Sequence, residues 1–309
     1  MQSSTRSSTF RNDRYNYPLP LIPGTNAICR IAAVPQDTPD LKPGMLVYSS
    51  SVVRHRDNTM SEAPMQGEWR NGTWAELIKV PAENVHVLNE QVLTKEFDYK
   101  IAHPGYISTF MVAYGGLSDV GLRPCETIVV APATGNFGSA AVFVALAMGA
   151  AKVIAMGRNT EKLQKILEGT GNRRYDPIGI YFDLSPKLDT TPSHISSAIS
   201  SLRLRGRISF MGGIRSDVQI SYLAIVVKGL TLHGTFMYTR QQINELIALV
   251  ETGLLPIGSR GGFEVTGKFS IEQWEEALEY AYNHKGPKKA TYFIPNGEQE
   301  RVSTTGSTI

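Results

Sequence analysis

The stretch ETIVVAPATGNFGSAAVFVALAMGAAKVIAMGR, residues 126–158, decides how the chain folds. Residues 127–131 are a short apolar run rich in β-branched side chains, which is typical of a strand buried on both faces of a parallel sheet. A glycine-containing turn follows, and the small apolar residues 139–148 predict a helix packed closely on that sheet. Gly149 suits the end of this helix, because glycine adopts positive φ without steric cost. Residues 152–156 predict the next strand.

A strand, a glycine turn, a helix and a second strand together make the first unit of a dinucleotide-binding fold. In such a unit the backbone approaches a pyrophosphate at the glycines, here Gly135 and Gly138, and the N-terminus of the helix offers free N–H groups to it. Ala133 occupies the place of the first glycine in GxGxxG, so the motif is incomplete. The pattern favours nucleotide binding; the alternative is an α/β domain with a tight turn and no ligand.

The end of the second strand indicates which dinucleotide would bind. An NAD site usually carries an acidic residue about 20 residues past the glycines, where it binds the ribose 2′-hydroxyl. Here residues 157–159 are Gly-Arg-Asn, and the first carboxylate, Glu161, already lies in the next helix. The guanidinium of Arg158 suits a 2′-phosphate, and Lys162 lies one helical turn further on. The sequence therefore favours NADP over NAD, with solvated surface residues as the alternative.

The composition limits the classes of protein to which the chain can belong. Its 309 residues leave room for two domains and a sizeable core. The formal net charge of +3 is small and the basic residues are scattered, so we expect no nucleic-acid partner. No apolar run approaches about 18 residues, which predicts no membrane span. Cys29 and Cys125 are too few for a disulfide framework, which favours a reducing compartment, the cytoplasm.

The chain divides into a β-rich domain, a nucleotide-binding domain and two polar ends. Residues 1–14 predict a disordered tail, with a short organelle-targeting segment as the alternative, and residues 298–309 predict a second tail. Apolar runs between Pro/Gly turns predict antiparallel strands in residues 15–115. Strand–helix alternation covers residues 116–254, and residues 255–297 are expected to return to the first domain.

Individual elements follow from the same patterns. The predicted strands cover residues 27–34, 45–48, 72–81, 127–131, 152–156, 179–186, 207–213, 231–237 and 290–294. The predicted helices cover residues 104–115, 139–148, 160–168, 193–204, 222–228, 241–252 and 271–282, with Thr160 as an N-cap.

Several short motifs follow one another in a specific order. They are Ile-Pro-Gly at 22–24, Leu-Lys-Pro-Gly at 41–44, Gly-Thr-Trp-Ala-Glu at 72–76, Ala-Thr-Gly-Asn-Phe-Gly at 133–138, Gly-Arg-Asn at 157–159, Met-Gly-Gly at 211–213 and Gly-Leu-Leu at 253–255. Across about residues 17–295 the chain resembles the medium-chain dehydrogenase/reductases, in the zinc-independent quinone oxidoreductase and alcohol dehydrogenase-like branch common in fungi. The resemblance implies an α/β fold, with a doubly wound parallel (Rossmann) sheet and a smaller, truncated β-rich GroES-like domain.

The resemblance also implies an activity. The chain would be an NADP(H)-dependent oxidoreductase that passes hydride between the nicotinamide and a C=O or activated C=C of a small, largely apolar substrate, in secondary metabolism. The residues implied to bind the cofactor are Thr134, Gly135, Asn136, Phe137 and Gly138 at the pyrophosphate, Arg158 and Lys162 at the 2′-phosphate, and Met211, Gly212, Gly213, Phe236 and Met237 near the nicotinamide. Core packing is the alternative for the Met and Phe positions. Tyr114 and Tyr106 are the nearest candidates for a proton donor, although packing is the commoner role of such tyrosines.

The chain departs from zinc-dependent members of this family. The region of their second zinc ligand falls on Thr25 and Asn26, which are poor ligands, and no cluster of four cysteines exists for a structural zinc. His55 and His103 are isolated in the sequence, as surface or packing histidines are. We therefore predict no metal.

Two segments are shorter than the resemblance implies. The family's first strands, before Pro18, are expected to be missing, and residues 169–178 are too few for a strand plus a parallel crossover, which alone needs about a dozen residues. The strand at residues 152–156 would then be an exposed edge, which predicts a thin adenosine pocket and a homodimer joined along that edge. These departures leave open a protein with this fold but no hydride transfer, acting as a binding module or in a non-redox step, and also a truncated product that folds poorly.

Overall fold

The structure of the chain contains a small antiparallel sheet and a larger parallel sheet with helices on both faces. The predicted α/β architecture is therefore confirmed. The structure is a computed structural model, and it describes residues 20–53, 71–167, 177–187 and 192–297. The two predicted tails, and nearly all of the short segment 169–178, lie outside the described residues.

The small sheet has three antiparallel strands, β1 (Ala27–Arg30), β2 (Leu46–Ser49) and β3 (Val85–Val87). The first two were predicted, but the strand predicted at residues 72–81 is wrong. The backbone N–H of Gly72 donates to the carbonyl oxygen of Ile22 at 3.0 Å, and the chain then bends. The ring of Trp74 packs on Phe293, with centroids 4.4 Å apart. These contacts hold the segment against two other parts of the chain instead of in a sheet.

The large sheet has five parallel strands in the order β5-β4-β6-β7-β8. They are β4 (Thr127–Ala131), β5 (Lys152–Ala155), β6 (Ile178–Asp183), β7 (Leu202–Phe210) and β8 (Thr231–Gly234). Along β4, Ile128 and Val130 belong to one core cluster, while Val129 and Ala131 belong to a second. Both faces of β4 are thus buried, which accounts for its unbroken apolar run. In the described part of the chain, β5 and β8 are the edges of this sheet.

Helices cover both faces of the sheet. They are α1 (Ile107–Asp119), α2 (Asn136–Ala147), α3 (Thr160–Leu167), α4 (Ser193–Ser201), α5 (Tyr222–Lys228) and α6 (Arg240–Glu251). Side chains from α1, α2 and α6 share the core cluster of Ile128, and α4 shares that of Val129. The N-cap of α3 is Asn159, one residue before the predicted Thr160. The side chain of Asn159 accepts the Lys162 N–H at 2.9 Å. Within the described ranges no helix is long and apolar enough to cross a bilayer.

The junction between α4 and β7 differs from the prediction, which extended the helix to residue 204. The helix ends at Ser201, and β7 begins at once with Leu202. Arg203 donates to one carboxylate oxygen of Glu126 at 3.0 Å, and Arg207 pairs with the other. These pairs accompany the earlier start of β7, and periodicity could not reveal them because Glu126 is far away in sequence.

The last part of the chain forms a separate pair of parallel strands, β9 (Glu264–Phe269) and β10 (Lys289–Phe293), joined through α7 (Trp274–Asn283). The sequence predicted the helix and β10 but missed β9. The hydroxyl of Tyr106 donates to the backbone carbonyl of Glu264, and Phe293 packs on Trp74. These contacts join the last segment to residues 74 and 106, and its assignment to the first domain stays a prediction.

Candidate functional site

The pyrophosphate turn, residues 133–138, joins the buried strand β4 to the start of α2. Gly135 is the N-cap residue of α2, and no side chain caps this helix end. Nothing lies within 4 Å of the place where a Cβ of Gly135 would be, whereas a Cβ at Gly138 would overlap the carbonyl oxygen of Pro132. Gly138 is therefore needed for packing, and Gly135 leaves open space in front of the helix N-terminus. That open N-terminus is suited to an anion.

The ends of β4 and β5 fit against each other. The N–H of Ala133 donates to the carbonyl oxygen of Met156 at 2.7 Å. A Cβ at Gly157 would lie 2.5 Å from the methyl group of Thr134, so a side chain there would force Thr134 to move. This contact brings Arg158, which is exposed, to the side of the pyrophosphate turn. The predicted neighbours of the cofactor phosphates are thus brought together by the sheet.

Two lysines near this turn were missed by the sequence analysis. Lys288 and Lys289 line a cleft of about 300 Å³ together with Asn136 and Ser139 of α2. The ammonium of Lys288 lies 4.6 Å from the ring centroid of Phe143, also on α2. The adjacent lysines at the start of the last strand were visible in the sequence, but their nearness to α2 depends on a contact between distant segments.

The turn after β7 is held by a buried acid at the end of β6. Asp183 is 2 % exposed and accepts hydrogen bonds from Tyr181 at 2.9 Å and Ser185 at 2.7 Å. Its other carboxylate oxygen lies so close to Gly212 that a Cβ there would overlap it. Only glycine therefore fits at position 212. Gly213, the next residue, donates its N–H to the carbonyl oxygen of Ser185 at 2.7 Å.

Phe137 and Phe236 are both exposed large side chains, at 48 % and 42 %. Phe137 lies in the first turn of α2, and Phe236 follows the end of β8. Neither is a buried core residue. Both lie at the carboxyl edge of the parallel strands, where ligands of open α/β sheets bind.

The two tyrosines considered as proton donors have other partners. The Tyr114 hydroxyl donates to the Glu245 carboxylate at 2.9 Å, and burial followed by this neighbour raises the pKa of Tyr114. The ring of Tyr106 lines the lysine cleft, but its hydroxyl donates to the backbone carbonyls of Glu264 and Lys288. Burial also raises the pKa of Tyr106. Both hydroxyls are tied to the protein itself.

A second cleft of about 350 Å³ lies beside the end of β2. Gly24, Thr25, Ser50 and Ser51 are among the residues that line it. The hydroxyl of Ser51 is hydrogen-bonded to that of Tyr238, which follows β8, at 2.9 Å. This cleft therefore adjoins the carboxyl edge of the large sheet.

The residues at the expected metal position do not form a zinc site. Asn26 donates from its side-chain amide to the hydroxyl of Thr25 at 3.3 Å. Its backbone carbonyl accepts from Thr73 at 3.1 Å. Within the described ranges, no three His, Cys, Asp or Glu side chains converge as a metal site would require. His55 lies outside those ranges, and His103 accepts the Lys100 N–H at 3.2 Å.

Comparison with known proteins agrees with this architecture. A family model described as the alcohol dehydrogenase GroES-like domain matches residues 3–90. The match begins inside the segment predicted as a tail. No curated protein sequence matches the chain significantly.

Solved structures of low sequence identity have the same fold. The alcohol dehydrogenase TADH from Thermus sp. ATN1 aligns with a TM-score of 0.70 and 19% identity, over 92% of this chain and 88% of its own. A protein described as a zinc-binding dehydrogenase from Sinorhizobium meliloti 1021, bound to NADP, aligns with a TM-score of 0.68 and 15% identity, over 86% and 82% of the two chains. A thermostable alcohol dehydrogenase from Pyrobaculum aerophilum aligns with a TM-score of 0.66 and 17% identity, over 90% of this chain and 84% of its own. The chain thus has the fold of alcohol dehydrogenase-like proteins.

Proposed function

We propose that the chain is an NADP(H)-dependent oxidoreductase that works without zinc on a C=O or activated C=C of a small, largely apolar substrate. The observation that carries this proposal is the open N-terminus of α2 at the pyrophosphate turn. It lies between β4 and its neighbours β5 and β6, where the strand order reverses and where such sheets bind nucleotides.

The residues around α2 fit a pyrophosphate. Uncapped N–H groups at the helix N-terminus attract an anion, and Gly135 leaves room for its close approach. Lys288 and Lys289 add positive charge along the adjoining cleft. These features favour a bound phosphate group over an empty crevice.

The choice of NADP over NAD rests on Arg158. It is exposed beside the pyrophosphate turn, where an NAD site would place an acid. Its planar guanidinium can bind a 2′-phosphate through two hydrogen bonds. Lys162, which is half-buried on α3, supplies a second charge nearby. The Sinorhizobium meliloti protein of this fold is bound to NADP, which agrees with the proposal.

The nicotinamide end of the cofactor would lie along the ends of β7 and β8. Asp183 fixes the turn at Gly212, and Gly213 continues it. Phe236 supplies an exposed apolar face at the next strand end. When bound, the reduced nicotinamide supplies the hydride. The protein's part is to hold it against the second cleft, where the substrate would enter.

Zinc has no part in the proposed reaction. The Sinorhizobium meliloti protein of this fold is described as zinc-binding, but here Thr25 and Asn26 at the expected ligand position are hydrogen-bonded to each other. The two free cysteines are consistent with the proposed cytoplasmic location. A role in secondary metabolism stays a prediction.

A binding module without hydride transfer is the competing proposal, and the short segment 169–178 favours it. The test is a fluorescence titration of the full chain with NADPH, followed by addition of benzaldehyde, cyclohexanone or 2-cyclohexenone. Binding together with oxidation of NADPH is expected. Binding without oxidation of NADPH by any of these carbonyls would favour a protein that holds the cofactor without hydride transfer. No binding of NADPH would overturn the oxidoreductase and favour a module that binds another partner.

A further inference from the structure

Three hydroxyl groups meet where the first domain touches the carboxyl edge of the large sheet. The hydroxyl of Tyr238 lies 2.9 Å from that of Ser51 and 3.5 Å from that of Ser50. Tyr238 is 3 % exposed, and Ser50 is also buried. In the chain, Tyr238 is 187 positions from Ser51 and 188 positions from Ser50, so distant segments meet at this point. We call Ser50, Ser51 and Tyr238 the hydroxyl cluster.

Two members of the hydroxyl cluster line the second cleft. Ser50 is buried and Ser51 is half-buried there, whereas Tyr238 does not line the cleft. Met237 and Phe236 directly precede Tyr238, at the strand end where the nicotinamide would lie. A substrate in the second cleft would therefore meet the Ser51 hydroxyl beside the cofactor, with Tyr238 behind it.

Tyr48 on β2 is fully buried beside the hydroxyl cluster, and burial, followed by the neighbouring Tyr238, raises the pKa of Tyr48 well above its ordinary value. Tyr48 is therefore a neutral phenol next to Tyr238.

We propose that Ser51 is the proton donor of the reaction and that Tyr238 acts through Ser51 as a positioning residue. This inference rests on the proposed function. The carbonyl carbon receives a hydride with its electron pair, and the π electrons of the C=O bond move to the oxygen. A new bond forms between that oxygen and the Ser51 proton as the Ser51 O–H bond breaks. A hydrogen bond from Tyr238 stabilises the Ser51 oxygen that remains, and water in the second cleft returns a proton to Ser51, leaving hydroxide.

The two tyrosines on α1 and on the turn before it are less suited to donate a proton than Ser51. Tyr106 and Tyr114 both donate to acceptors within the protein, so neither hydroxyl is directed at a cleft. Ser51 combines a hydroxyl at a cleft with a second hydroxyl that can hold it by a hydrogen bond. General acid catalysis of this kind contributes about 10²–10⁴-fold to a rate.

The test compares Ser51→Ala, Ser51→Thr and Tyr238→Phe with the unchanged chain. We expect Ser51→Ala to lower kcat/KM for benzaldehyde reduction about 100-fold or more, and Ser51→Thr to restore most of it. Tyr238→Phe should lower kcat and alter the solvent isotope effect of the reaction. Tyr280→Phe on α7, which loses a hydroxyl bonded to the Thr266 carbonyl, is the matched control and should leave both unchanged.

A second readout needs no turnover. Trifluoroacetamide carries a carbonyl oxygen that accepts a hydrogen bond, and its binding to the chain can be followed by fluorine NMR. We expect Ser51→Ala to weaken this binding about tenfold, as for loss of one hydrogen bond, while NADPH binding and thermal stability stay unchanged.

Three results would overturn the donor role while leaving the cofactor site intact. They are unchanged activity in Ser51→Ala, amide binding independent of Ser51, and reduction of none of the carbonyls by a chain that binds NADPH. Failure to bind NADPH would overturn the proposed function itself, and the donor role with it.

Discussion

Gly138 lies against Pro132 so closely that any side chain at position 138 would overlap the Pro132 carbonyl oxygen. Gly135, three residues earlier, has no atom within 4 Å of the place where its Cβ would be. One glycine is therefore required by the protein and the other leaves space in front of a helix N-terminus. The two make a matched pair for separating folding from binding.

We expect Gly138→Ala to lower the free energy of unfolding by about 1–3 kcal/mol, because the backbone of the turn must shift. Gly135→Ala should leave stability nearly unchanged, since its φ of −86° suits alanine. It should nevertheless weaken NADPH binding, because the added methyl group fills the open space. Urea unfolding and NADPH fluorescence measure the two effects. Unimpaired NADPH binding by Gly135→Ala would show that the pyrophosphate lies elsewhere.

Arg158 should set the preference for NADPH. Its replacement by alanine removes a charged hydrogen-bond donor beside the pyrophosphate turn, so NADPH binding should weaken by about 1.5–3 kcal/mol. NADH binding should hardly change, because NADH has no 2′-phosphate. Parallel titrations with both nucleotides measure this difference.

Arg123→Ala is the matched control for Arg158, because Arg123 is exposed at the opposite, amino end of β4. Arg123→Ala should change the binding of neither NADPH nor NADH. Equal losses of NADPH and NADH binding in Arg158→Ala would show that Arg158 acts on a part that both cofactors share.

Much of the nucleotide-binding domain could be predicted because its signals are local. The apolar run of β4, the glycine turn and the small side chains of α2 occur in one stretch of 33 residues, as residues 126–158. The first domain was harder, since residues 72–81 look like a strand, yet contacts of Trp74 and Gly72 with distant residues bend the chain. β9 was missed because its partner β10 follows only after a helix.

The candidate site also contains residues with local sequence signals and residues that only distant contacts bring together. Gly135 and Arg158 could be proposed from the sequence because each lies at a fixed spacing from a strand. Ser51 and Tyr238 could not be found, because their hydrogen bond joins two domains. Lys288 was missed for the same reason, since its contact with Phe143 joins the last segment to α2.

His86 should make the stability of the chain depend on pH. It is buried, and its Nδ1 is hydrogen-bonded to the Asn244 side chain at 2.7 Å. Burial lowers its pKa most, the bond to Asn244 opposes this, and the charge of Arg240 lowers the pKa further. The folded-state pKa of His86 therefore lies below the unfolded value of about 6.5.

As pH falls below about 6.5, the unfolded chain takes up a proton at His86 before the folded chain does. The stability that is present above this pH is lost as pH falls through the window between the two pKa values. His86→Gln, which can keep a bond to Asn244, should flatten that part of the curve. Urea unfolding between about pH 5 and 7.5 measures it. Equal pH dependence in both chains would contradict the prediction.

The two edges of the large sheet differ in what they expose. The sequence predicted a homodimer along β5, but all residues of β5 are half-buried, whereas all four residues of β8 are exposed. Helix α5, just before β8, has no buried residue and carries the exposed side chains Tyr222, Leu223, Val226 and Val227, at 57–80%. Clustered apolar side chains of this kind mark an association surface.

We therefore expect any homodimer to form through α5 and β8. Two copies related by a two-fold axis would pair their β8 edges and bury both α5 surfaces at once. Light scattering should give a dimer for the unchanged chain and a monomer for the double variant Leu223→Asp, Val227→Asp. Gln164→Asp, exposed on the helix after β5, is the matched control and should remain a dimer. A dimer that survives the α5 double variant but dissociates with Gln164→Asp would return the interface to the β5 side.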